Sequence, residues 1–61
     1  MNTVRVKEIM KEKGITQVDL AKATGTSQAF ISYCLDGLKV PGLGVFKVMV
    51  KTLGCSADEI L

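Results

Sequence analysis

Four glycines limit how far any regular element of this chain can run. Gly14, Gly25, Gly37 and Gly54 divide it, and hydroxyl residues suited to capping follow three of them, at Thr16, Thr26–Ser27 and Ser56. Glycine tolerates the left-handed backbone that ends a helix, and a hydroxyl oxygen accepts the free N–H groups that begin the next. The punctuation therefore predicts short helices. No segment shows sustained period-2 alternation, and Asp36-Gly37, the nearest thing to a hairpin turn, follows a run with helical spacing.

The first piece is expected from Thr3 to Lys13, capped by Asn2 or Thr3, with Val6, Ile9 and Met10 on one side and charged residues on the other. Thr16 opens a second, Gln17 to Thr24, with Asp19 completing a capping-box-like pair and Leu20 and Ala21 pointing inward. The third runs from Gln28 to about Asp36, capped by Thr26 or Ser27 and closed by Gly37. Leu38 to Gly44 reads as a loop, with one proline and two glycines in seven residues. A fourth helix is expected from Val45 to Leu53, with Phe46, Met49, Val50 and Leu53 as its buried stripe. Ser56-Ala57-Asp58-Glu59 reads as a capping box opening a very short fifth helix that ends at Leu61. The expected fold is all-α: five helices in a single domain spanning 1–61.

Sixty-one residues allow one domain, and 48% apolar residues with only 5% aromatics mean that aliphatic side chains fill its core. Eight basic residues against six acidic give +2, which permits nucleic-acid contact without demanding it. The chain has no histidine, which excludes zinc fingers and histidine-based catalysis. Cys34 and Cys55 stand in apolar surroundings without a CxxC spacing and read as buried thiols rather than a disulfide framework. No apolar run approaches the ~20 residues needed to span a bilayer, and Met1 to Lys13 is charged throughout. A soluble, cytoplasmic chain is expected.

The third helix separates cleanly on a helical wheel. Phe30, Ile31, Cys34 and Leu35 share an inner arc of about 140°, and Gln28, Ala29, Ser32, Tyr33 and Asp36 occupy the other side. That outer face lacks Lys and Glu, the usual residues of a solvated helix. It offers an amide, a methyl, a hydroxyl and a phenol, which suit close approach to another macromolecule. A small Ala21 lets a following helix cross close by, and Gly25 supplies the positive φ that a tight turn needs. Helix, tight turn and helix at these spacings form the pattern of a DNA-binding helix-turn-helix.

ITQVDLAKATGTSQAFISYCLDG, residues 15–37, resembles the helix-turn-helix of the phage repressor and Cro family, the lambda-repressor-like domains. The resemblance extends from the first helix, ending at Lys13-Gly14, to the closing LGCSADEIL. Its most specific positions are Gln17, Ala21, Gly25, Ile31 and Gly37. It implies a compact five-helix domain that binds a double-stranded DNA operator and regulates transcription, with the helix at about 28–36 in the major groove. Gln17 then matches a position that meets a phosphate, and Gln28 a glutamine that reads an adenine edge. Ser27, Ala29, Ser32 and Tyr33 match the rest of the base-facing surface, and Lys39 a loop that touches the backbone. Ser27 can equally serve only as a cap, and Tyr33 can instead pack on sugar or cover the core edge. The helix N-termini at Thr16–Gln17 and Thr26–Ser27 also present free N–H groups suited to phosphates. Many relatives pair a buried Arg late in the first helix with a Glu near the end of the third. Here Met10 and Leu35 stand at those positions, and they are expected to touch in the core.

The region from Leu38 to Val48 is more apolar than one buried face requires. Val45 and Val48 fall outside the stripe of the fourth helix, and Leu38, Val40 and Leu43 precede it. Either a small domain exposes some valines, or this is a partner surface. A homodimer on DNA is expected, with Leu38, Val40, Leu43, Val45 and Ile60 at its interface. The rival reading is a protein-interaction module, antitoxin-like or a degenerate helix-turn-helix, that uses the apolar 38–48 surface. An enzyme is not expected: no nucleophile has a nearby base, and GLGVFK lacks the P-loop spacing. No cofactor, metal or small-molecule ligand is expected.

Overall fold

Helix α1 (Thr3–Lys13) begins where the Asn2 side chain accepts a hydrogen bond from the Arg5 N–H at 3.1 Å. The computed structural model describes Met1 to Leu61 and contains four further helices: α2 (Gln17–Thr24), α3 (Gln28–Leu35), α4 (Leu43–Leu53) and α5 (Ala57–Ile60). There are no strands. The all-α, five-helix expectation holds.

Capping explains most of the boundaries. Thr16 Oγ1 accepts from the Asp19 N–H at 3.2 Å while Asp19 Oδ2 accepts from the Thr16 N–H at 2.9 Å, so the first turn of α2 satisfies two otherwise free donors reciprocally. Ser27, not Thr26, caps α3, accepting from the Phe30 N–H at 3.1 Å. Helix α4 starts at Leu43, two residues before the expected Val45. Gly42 occupies its N-cap position and offers no side-chain acceptor, and Gly44 lies inside the first turn. Two glycines and a proline signal a loop in sequence. Yet a glycine at a helix start costs far less than one in its middle, and the apolar face of α4 repays it.

Helices α1 to α4 turn their expected faces inward, and α5 adds Ile60. Val6, Ile9 and Met10 of α1, Leu20 and Ala21 of α2, Ile31 and Leu35 of α3, Met49 and Leu53 of α4 and Ile60 of α5 form one buried cluster. Met10 and Leu35 are both members, so apolar side chains stand where an ion pair would have had to be desolvated. Phe30, Val45, Phe46, Val50 and Cys55 pack against the cluster while remaining partly accessible. Helix α2 lies on α3 and α4, and α1 on α3, α4 and α5. No buried side-chain nitrogen or oxygen lacks a partner.

Two expectations at the C-terminal end are corrected. Ile60, expected at a dimer interface, is fully buried. Helix α5 folds back onto α1 and α4, and the Asn2 N–H donates to the Ile60 carbonyl at 2.8 Å, which draws the side chain into the core. The Ser56–Glu59 capping box does not form either. Ser56 has the extended backbone of an N-cap but makes no side-chain cap bond. The Glu59 carboxylate accepts instead from Arg5, Nη2 at 2.9 Å and Nε at 3.2 Å. A guanidinium offers a charge-assisted pair of hydrogen bonds, which outbids a neutral backbone N–H.

Candidate nucleic-acid interface

The turn between α2 and α3 is held from inside. Gly25 has φ +69°, and its N–H and that of Thr26 both reach back to the Ala21 carbonyl. The Thr24 hydroxyl donates to the Leu20 carbonyl at 2.7 Å, and the Thr24 and Thr26 hydroxyls lie 2.7 Å apart. A carbonyl can only accept, so the proton of Thr24 is committed to Leu20 and Thr26 must donate to Thr24. Both donors of Thr26, its N–H and its O–H, are thereby consumed within the turn. Thr26 was expected to meet a phosphate, but it has no donor left for one. Thr24, which the sequence reading passed over, is half of this lock; the only signal was a threonine on each side of Gly25.

The lock fixes α3 against α2 and leaves its outer face open. Gln28 and Ala29 are exposed, Ser32 is half-buried, and Tyr33 is 46% exposed. The Gln28 amide makes no hydrogen bond within the chain, so all of its donors and acceptors remain available. Ser27 is exposed at the head of this face, its oxygen bound to Phe30. No acidic residue lies in the first turn of α3, so the positive end of its dipole is not neutralised.

Two further expected phosphate positions flank α3. At the start of α2, Thr16 is exposed with its N–H bound to the Asp19 carboxylate, and Gln17 is half-buried; the Gln17 and Val18 N–H groups have no acceptor in the chain. On the other side Lys39 is exposed, with its ammonium 5.9 Å from the centroid of the Tyr33 ring. On the inner face of α3 burial pushes the Cys34 thiol above its ordinary value, against a smaller opposing pull from Lys39. Both cysteines are free thiols.

The expected interface residues divide. Leu38, Val40 and Leu43 are 72%, 83% and 69% exposed. Val45 is half-buried against the core and Val48 is half-buried as well, while Ile60 is inside. Beside them runs an apolar groove of ≈ 290 Å³ lined by Met1, Val40, Pro41, Leu43, Phe46 and Leu61. Met1 and Leu61 carry no surface signal in sequence, because chain ends acquire neighbours only through the tertiary fold.

A family model described as helix-turn-helix matches residues 6–60, nearly the whole chain. The chain belongs to the helix-turn-helix family. Within this helix-turn-helix domain α2 and α3 are the motif itself, and the Cro/repressor type expected from residues 15–37 is the type found. The family is one of DNA-binding regulators of transcription. No curated protein and no solved structure matches the helix-turn-helix domain. No helix of it is long and apolar enough to cross a membrane.

Proposed function

We propose that this domain binds double-stranded DNA sequence-specifically as a small Cro-like transcriptional regulator, with α3 in the major groove. The observation that carries the reading is the outer face of α3: exposed, free of Lys and Glu, and headed by an amide with no partner in the chain. A glutamine amide can bond adenine N6 and N7 together, and the Ala29 methyl can pack on a thymine methyl. Ser27 and Ser32 add short hydroxyls to the same face. Gln17 at the start of α2, and Lys39 beyond α3, flank it as phosphate contacts.

Size supports a homodimer. The Cα trace measures 22 × 21 × 19 Å, while successive half-sites on one face of B-DNA lie about 34 Å apart. One copy covers one half-site, and the exposed Leu38, Val40 and Leu43 supply an apolar surface for a second copy, with half-buried Val45 at its edge.

The test is selection from a random duplex library, run beside a Gln28→Ala protein at matched, moderate salt. A pseudo-palindromic motif, with the variant losing about 1–3 kcal/mol at one position of each half-site, supports direct readout by a dimer. Weak binding that selects no motif and falls steeply with salt for both proteins rejects it. The same apolar surface favours one other reading, a protein-interaction module. Val40→Asp separates the two: a dimeric DNA reader loses self-association and operator affinity together, whereas an interaction module has no operator affinity to lose.

A further inference from the structure

Lys39 is the only basic side chain between Lys22 and Lys47, so α3 and both of its flanks carry a single cation. It forms no ion pair, for every salt bridge in the chain belongs to Arg5. What fixes it in space is Tyr33. The Tyr33 carbonyl accepts from the Leu38 N–H at 2.9 Å and from the Lys39 N–H at 3.3 Å, which ties the loop backbone to the last turns of α3. The Lys39 ammonium lies 5.9 Å from the centroid of the Tyr33 ring, within reach of the ring's negative face. One residue therefore holds both ends of the lysine.

We propose that Tyr33 is a positioning residue, holding Lys39 on the outer side of α3 where a DNA phosphate passes, and not a base reader. A free lysine on an exposed loop must give up rotamer freedom when it meets a phosphate, and the ring removes part of that loss beforehand. The ring takes no hydrogen bond from the ammonium, so all three N–H donors stay available to phosphate oxygens. The proposal rests on the DNA-binding reading and assigns Tyr33 a specific part in it.

The experiment compares wild type with Tyr33→Phe, Tyr33→Leu, Lys39→Ala and Tyr33→Leu/Lys39→Ala on a duplex carrying the selected site, over a range of salt concentrations. Circular dichroism establishes that each variant is folded. Tyr33→Phe keeps the ring and is expected to keep the wild-type slope of log K against log salt and the wild-type motif. Lys39→Ala is expected to give a slope shallower by about 0.9 for each bound protomer, whereas Tyr33→Leu, which leaves the charge in place, is expected to keep the slope and bind about two- to fivefold more weakly. The double variant is expected to bind no more weakly than Lys39→Ala. In the free protein the Lys39 ε-protons should be shifted upfield by the ring in wild type and Tyr33→Phe but not in Tyr33→Leu. Wild-type affinity for Tyr33→Leu, or an altered base preference for Tyr33→Phe, overturns the proposal and leaves the DNA-binding reading standing. No operator binding by wild type at any salt removes both.

Discussion

Gly25 has φ +69°, and nothing stands within 4 Å of where its Cβ would be. A side chain there meets no clash with its surroundings, so the only penalty of Gly25→Ala is the left-handed backbone itself, about 1–2 kcal/mol. Gly42 is the control, since it has equally open space but φ −65°. Gly42→Ala is expected to change stability much less in the same urea titration, and equal losses at both positions would contradict the turn geometry. Asp19 gives a second prediction at this scale. The Thr16 backbone N–H, then the Thr16 hydroxyl and more weakly Lys22, hold its carboxyl below the ordinary value of 3.8. A depressed carboxylate contributes stability that is fully present above the unfolded pKa and is lost as pH falls through the folded one. The advantage of wild type over Asp19→Asn should therefore be constant from neutral pH to about pH 5 and shrink below about pH 4. Urea midpoints measured across that range check the sign.

Helix α4 starts without a side-chain cap, and this is where an element can be improved. Gly42 already has the extended backbone of an N-cap residue, so Gly42→Ser adds an acceptor for a first-turn N–H and stiffens the unfolded chain. A gain of about 0.5–1 kcal/mol is expected from urea unfolding. Helix α3 carries a chemical marker of its packing: Cys34 is buried with its thiol pushed up, whereas Cys55 is partly accessible. Mild labelling of the native domain should modify Cys55 alone, with Cys34 reacting only on unfolding. The elements also differ in how readily they could be read from sequence. Helices α1, α2 and α3 announce themselves because each has a local side-chain cap and enough turns to separate two faces. Helix α5 has four residues, too few to define a face, so nothing local separates a buried Ile60 from an exposed one. Its apparent capping acid was diverted to Arg5, 54 residues away. The outer face of α3 was legible for the same reason as α1, whereas the Thr24–Thr26 lock needs a geometry that sequence does not print.

For the molecule as a whole, the docking of α5 decides whether a core of ten residues is closed. Two substitutions next to each other separate what closes it. Ile60→Ala empties a fully buried site and is expected to cost about 2–5 kcal/mol, most of the stability a domain of this size commands. Glu59→Gln removes the negative charge that meets Arg5, but the two side chains are 35% and 40% exposed, where solvent screens a pair to a small contribution. Thermal unfolding should therefore show near collapse for the first and a small shift for the second. The bond from the Asn2 N–H to the Ile60 carbonyl has another consequence, because 2.8 Å is all that separates the backbone near one end from the backbone near the other. Topologically the chain is almost a ring, and which helix is first is an accident of where that ring is cut. A short flexible linker from Leu61 to Met1 would close it, and new ends opened at the exposed Leu38–Lys39 bond would begin a permuted domain whose helices keep their cyclic order.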